Sequence, residues 1–108
     1  MTVSLPKGID AYIAGTNAHE PASIARAFAE DGIVHDEGKV HRGRAAITEW
    51  ARDTVNKYRM TMTPLAAAEK DGKVVVKARV EGTFPGSPIE LTFDFELGDG
   101  AIKSLKVG

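Results

Sequence analysis

The chain has 108 residues, 14 basic and 15 acidic side chains, a formal net charge of −1 and 43% hydrophobic content. That length fits one domain, residues 1–108, and leaves no room for a second. A near-neutral charge offers no basic field to nucleic acid, and the lack of cysteine excludes disulfides, thiolate catalysis and Cys-based zinc sites. No apolar run approaches the ~18 residues that read as a membrane span. The opening MTVSLPKGID has neither an apolar signal core nor a small-residue cleavage site, so a cytoplasmic location is expected.

In chain order, a first helix is expected from about Pro6, because Leu5, Ile9, Tyr12, Ile13 and Thr16 recur at helical spacing. It should stop near Asn17–His19, since Pro21 disfavours helical geometry at Glu20; His19 is then a loop residue. Pro21 suits the first turn of a short second helix with Ile24, Ala27 and Phe28 on its apolar face, ended by Asp31-Gly32. Ile33 to Asp36 reads as a short strand, Glu37-Gly38 as a turn, and Lys39 to His41 as the hairpin partner. A third helix follows Arg42-Gly43, with Ile47, Trp50, Ala51, Thr54, Val55 and Tyr58 on one stripe.

The second half reads as strands. Met60 to Ala68 forms one with weak alternation. The next sets Val74, Val76, Ala78, Val80, Gly82 and Phe84 against Lys77, Arg79 and Glu81. Ile89, Leu91, Phe93, Phe95 and Leu97 then alternate with Glu90, Thr92, Asp94 and Glu96, and Ala101 to Val107 makes the last strand. Asp71-Gly72, Pro85-Gly86-Ser87-Pro88 and Gly98-Asp99-Gly100 are the turns. Helices followed by strands define an α+β domain with an antiparallel sheet. One sheet face is apolar, and three helices are available to cover it; a long twisted sheet curling around them can leave a hollow, which the pattern does not itself require.

Asp36 is the foremost chemical candidate. Strand parity puts it on the same face as Val34, hence toward the apolar side, where burial disfavours the carboxylate and raises its pKa toward values useful to a general base. The competing reading makes Asp36 the first residue of the turn. His35 and His41 flank the same hairpin; either is a candidate proton shuttle beside Asp36, although parity points His35 to the other face. Trp50 and Tyr58 on the third helix, with Phe28, Phe84, Phe93 and Phe95, are expected to wall an apolar ligand site or to serve as core. Arg42 and Arg44 could pair with Asp36 or Glu37, hold an anion or lie on the surface. The histidines and carboxylates lack any recognised ligand spacing, so neither a metal nor another cofactor is expected.

The order helix–helix–short strand–helix–long strands resembles the nuclear transport factor 2-like superfamily, in its SnoaL-like and ketosteroid-isomerase-like branch. The resemblance is carried by Tyr12-Ile13-Ala14 and Asn17-Ala18, by Phe28-Ala29-Glu30-Asp31, by Val34-His35-Asp36 and by Arg42-Gly43-Arg44-Ala45-Ala46-Ile47. It implies a cystatin-like cone, with three N-terminal helices on a curved, mixed but mostly antiparallel sheet. It also implies a homodimer joined through the open sheet face. In ketosteroid isomerases the first-strand carboxylate, matched by Asp36, is the general base, and a first-helix tyrosine, matched by Tyr12, is an oxyanion donor. A late-strand acid completes that family's site, but the matching stretch here is Leu91-Thr92 and the acid is missing. The implied function is binding of a small apolar molecule with acid–base catalysis of isomerase, cyclase or dehydratase type. The alternative is a non-catalytic ligand-binding or dimerisation module of the same fold.

Overall fold

Pro6 precedes α1 (Lys7–Asn17), whose Ile9, Tyr12, Ile13 and Thr16 share one buried face. The structure is a computed structural model and describes residues 5–108. Met1–Ser4, part of the stretch read for a targeting signal, lie outside the described residues. Pro21 occupies the first turn of α2 (Pro21–Arg26), which buries Ile24 and Ala25.

The second helix is shorter than its sequence suggests, and the strand after it is longer. β1 runs Phe28–Asp36, so Phe28-Ala29-Glu30-Asp31 belongs to the sheet and not to the helix. The tertiary setting decides this. The Ala27 carbonyl accepts from the Ile102 N–H at 3.1 Å, and the Phe28 carbonyl accepts from Arg44 Nη2 at 2.9 Å. Ala29–Gly32 then bulge out opposite Lys103 alone, before regular pairing resumes at Ile33. The extra residues leave the parity of the outer half intact: Val34 is buried, His35 exposed and Asp36 half-buried.

Glu37 and Gly38, both at positive φ, form the two-residue turn into β2 (Lys39–Arg42). Two successive positive φ values match the type I′ turn that suits the twist of a hairpin. α3 (Gly43–Tyr58) buries Ile47, Trp50, Ala51 and Val55, and stops at Arg59 in the left-handed region. Four strands follow: β3 (Thr61–Lys70), β4 (Lys73–Glu81), β5 (Ile89–Gly98) and β6 (Ala101–Val107). The strand order is β2-β1-β6-β5-β4-β3, with β1 and β6 parallel and the other neighbours antiparallel. The fold is therefore α+β, three helices on a mixed, mostly antiparallel sheet.

One sheet face carries the core: Val34, Val74, Val76, Ala78, Val80, Phe93, Phe95, Ile102 and Leu105 are all buried. The outward face carries the Lys77–Glu90 ion pair, and an Arg79–Glu81 pair adjoins it, each at 3.2 Å. Edge strand β3 is partly covered by the end of α1. Asn17 Nδ2 donates to the Met62 carbonyl at 3.1 Å, Asn17 Oδ1 accepts from the Met62 N–H at 2.7 Å, and His19 Nε2 donates to the Met60 carbonyl at 3.1 Å. These bonds occupy backbone groups that an exposed edge would offer to another chain. They also give the loop residue His19 a structural task.

Candidate functional site

A cavity of about 390 Å³ lies between the helices and the inner sheet face. That volume falls in the range of small-molecule sites, ~300–1,000 Å³. Its sheet side is apolar: Val80, Phe84, Ile89, Leu91, Phe93 and Val107. Its other side gathers Tyr12 from α1, Asp36 and Glu37 from the first hairpin, and Trp50, Thr54 and Tyr58 from α3.

Asp36 reaches this wall as the last residue of β1, where the inward parity of the strand meets the turn. Its Oδ2 accepts a 3.0 Å hydrogen bond from Trp50 Nε1. Burial holds its carboxyl above the usual carboxylate range; the Trp50 bond works against that rise, and the neighbouring Glu37 charge adds to it. Neither Arg42 nor Arg44 neutralises it: Arg44 is spent on the Phe28 carbonyl, and Arg42 is an exposed residue of β2. A half-buried carboxylate is thus fixed by a neutral donor while retaining acceptor capacity.

Tyr12 lies deeper and is 1% exposed. Its ring meets Phe95 edge-on at 5.5 Å between centroids and Phe28 at 6.1 Å. This packing fixes the ring, while its edge lines the cavity. Burial pushes the phenol far above its ordinary value, Thr16 one turn later tempers the shift, and the Asp36 charge adds to it. A phenol raised in this way stays protonated through the physiological range, and its O–H remains available as a donor.

The rim is closed by a contact that the sequence did not disclose. The Tyr58 hydroxyl donates to Glu37 Oε1, joining the end of α3 to the first hairpin. Tyr58 also meets Phe84 edge-on at 5.9 Å. Gly82 makes this placement possible, because a Cβ there would collide with the Tyr58 carbonyl oxygen. Thr83 N donates to that same oxygen at 2.7 Å.

The structure separates the expected site residues into two groups. Asp36, Tyr12, Trp50, Tyr58, Phe84 and Phe93 all line the one cavity. Phe28 and Phe95 do not: they are buried behind Tyr12 and support its ring. Neither histidine lines it. His35 is exposed on the outward face, because residues one apart on a strand point opposite ways; it lines a separate groove with Lys39, Val40 and Lys106, to which Asp36 and Glu37 also contribute. His41 is half-buried, with its ring 6.2 Å from the Trp50 ring, and is not among the residues that line the cavity. It acts on Asp36 only by weak electrostatic lowering. Glu37, Thr54, Met60, Ile89 and Leu91 are lining residues that the sequence reading did not single out as site residues. The alternation of β5 did mark Ile89 and Leu91 as inward, which was the available signal. Among the described residues no group of three or more His, Asp or Glu side chains is arranged to hold a metal ion, and no helix is long and apolar enough to cross a membrane.

A mixed sheet with three covering helices, and a tyrosine and a carboxylate turned into the space between them, defines a ketosteroid-isomerase-like or cystatin-like architecture. Residues 9–104 match the SnoaL-like domain family, and the chain belongs to it. Among solved structures it is similar to a proposed polyketide cyclase from Sinorhizobium meliloti, with 33% identity, a TM-score of 0.91 and coverage of 96% of this chain and 95% of that one. It is also similar to SalBIII, an epoxide hydrolase/cyclase-like enzyme with a role in pyran ring formation in the polyether salinomycin; identity is 26%, the TM-score 0.80, and coverage 94% and 86%. A hypothetical protein with a ketosteroid isomerase-like fold from Catenulispora acidiphila shares the fold at 21% identity, with a TM-score of 0.85 and coverage of 97% and 86%. No curated protein matches the sequence.

Proposed function

We propose that this protein is an acid–base catalyst acting on a small, largely apolar carbonyl compound, of the cyclase, isomerase or dehydratase type. The observation that carries the proposal is the juxtaposition of Asp36 and Tyr12 in one apolar cavity, with Asp36 held by Trp50 and in no ion pair among the described residues. Asp36 takes a proton from the carbon next to the carbonyl. The C–H electron pair moves into the new C=C bond, and the carbonyl π pair moves onto oxygen. Tyr12 donates a hydrogen bond to that oxygen while remaining protonated. Asp36 then returns its proton to another carbon, or the enolate carbon attacks a second carbonyl carbon, whose π pair moves onto its own oxygen and takes up the proton from Asp36, or the enolate expels a β-hydroxyl that leaves with that proton as water. The kinship with a proposed polyketide cyclase and with a ring-forming enzyme favours substrates in which a ring closes.

The test needs no knowledge of the natural substrate. Bicyclic ketones of cavity size are incubated with the protein in D₂O, and deuterium entering the α-carbon is followed by NMR. The wild-type protein should accelerate exchange and Asp36→Asn should not. Equal exchange by both would end the proposal.

The homodimer implied by the family resemblance belongs to the same reading. Val75 and Val40, 42% and 50% exposed, stand on the outward face among Asp94, Lys106 and His35, a mixed surface suited to a second copy. Sedimentation velocity giving a monomer at micromolar concentration would remove that part.

A further inference from the structure

We infer that a recess behind Tyr12 binds a single water molecule, and that this water, together with Thr16, orients the Tyr12 hydroxyl toward the cavity. The recess has a volume of about 10 Å³ and shares Tyr12, Trp50, Thr54 and Met60 with the main cavity. Thr16, Ile24, Ala51 and Val55 complete it. That volume sits at the lower bound for one water, ~10–15 Å³, and is too small for any larger ligand.

Size alone would not favour water, since purely apolar voids stay dry. This one carries three hydroxyl-bearing side chains, Tyr12, Thr16 and Thr54. Thr16 is 3% exposed, and its Oγ1 has no hydrogen-bond partner, alone among buried side-chain polar atoms of the described residues. A helical threonine ordinarily satisfies its hydroxyl on the carbonyl one turn back; Thr16 does not. A buried hydroxyl left unpaired is costly, so its presence on the lining calls for a partner in the recess. The hydroxyl lies close enough to the Tyr12 phenol to temper the rise in its pKa, yet it makes no direct hydrogen bond of good geometry.

One water closes this gap. Thr16 Oγ1–H donates to the water oxygen, and the water donates one hydrogen to Tyr12 Oη and the other to Thr54 Oγ1. With a lone pair of Oη engaged from behind, the phenolic hydrogen is left to the substrate oxygen. Thr16 is then a positioning residue, acting through the water and through Tyr12. The orienting role rests on the proposed reading of Tyr12 as the donor; the water site does not.

Crystal structures near 1.2 Å resolution of the wild type, Thr16→Ser and Thr16→Val test the site. One ordered water should lie within hydrogen-bond distance, about 2.5–3.2 Å, of Thr16 Oγ1 and of Tyr12 Oη or Thr54 Oγ1. It should persist in Thr16→Ser and vanish in Thr16→Val. A dry recess in the wild type, or a water retained in Thr16→Val, overturns the proposal. The orienting role is read from the ¹³Cζ chemical shift of Tyr12 in a Tyr58→Phe background, where it is the one remaining tyrosine. Thr16→Ser should match the parent, and Thr16→Val should shift. In the ketone exchange assay Thr16→Val should lower kcat about tenfold with KM nearly unchanged, and Thr16→Ser should restore it. An unmoved chemical shift and an unchanged kcat in Thr16→Val, beside a visible water, overturn the orienting role. Indifference of exchange to Tyr12→Phe would instead remove the reading of Tyr12 as donor, while the electron density still decides the water.

Discussion

The two walls of the cavity are built on opposite principles. The sheet wall, from Val80 through Phe84, Ile89, Leu91 and Phe93, is apolar and continuous with the core. The opposite wall places a carboxylate, a phenol and an indole N–H at the same apolar surface. The first wall gains from burial, because each apolar side chain removed from water stabilises the fold or a bound ligand. The second wall loses from it, because desolvation raises the Asp36 carboxyl and disfavours its charged form. A site that retains an unfavourable buried group where an apolar one would pack is the usual mark of function bought at some expense of stability.

Substitutions on the two walls should therefore fail differently, and four of them rank the effects. Asp36→Asn should reduce ketone α-proton exchange by about 10²–10⁴, the range for losing a general base. The same variant should be more stable than the wild type at neutral pH. The sign follows from the raised carboxyl: between the unfolded midpoint near 3.9 and the higher folded one, the native state holds a proton that the unfolded chain has lost. Stability from this group is thus full below the unfolded midpoint and falls as pH rises through the folded one. Asparagine has no such loss, so its advantage should be present at pH 7 and disappear near pH 3, as urea titrations at the two pH values would show.

Phe93→Ala lies on the other wall, where Phe93 is fully buried. It should cost about 3–5 kcal/mol of stability, the range for emptying a buried aromatic position, and chemical denaturation measures it. Tyr12→Phe, which keeps the ring packing and removes only the hydroxyl, should lower exchange by about 10²–10³, as loss of one oxyanion donor does elsewhere. Its melting temperature should move little. A loss of stability comparable to that of Phe93→Ala would place Tyr12 with the core and erase the contrast between the walls. Tyr58→Phe should have the smallest effect, under about 1 kcal/mol of stability, since its bond to Glu37 lies at the exposed rim. Thermal unfolding would read it.

The sheet wall was almost fully legible in the sequence, and the other wall only in part. Alternation from Val74 to Val80 and from Ile89 to Leu97 fixes which side chains face inward, because a strand has period two. The same parity argument put Asp36 inward beside Val34. It did not reach the first half of the same strand, because Phe28-Ala29-Glu30-Asp31 carries no alternation and reads as the end of the second helix. The strand there is imposed by β6 and by Arg44, and local sequence contains neither. The Trp50–Asp36 bond joins α3 to β1 across 14 residues, and the Tyr58–Glu37 bond spans 21. Each depends on how the helix is rotated over the sheet, which no periodicity encodes. The stripe of α3 marked Trp50 and Tyr58 as inward but said nothing of their polar ends. For the histidines, parity already set His35 on the outward face, whereas nothing local showed that His41 would sit beside the Trp50 ring and off the cavity lining.

The claim that Asp36 is the working base is tested most directly by titrating its ¹³C-labelled carboxyl in the wild-type protein beside the pH dependence of ketone exchange. The account predicts a midpoint above the usual carboxylate range, with exchange rising through that same pH. Trp50→Phe, which removes the donor that lowers it, should move both to higher pH together. A carboxyl titrating near 3.9, or an exchange rate indifferent to its ionisation, would contradict the account.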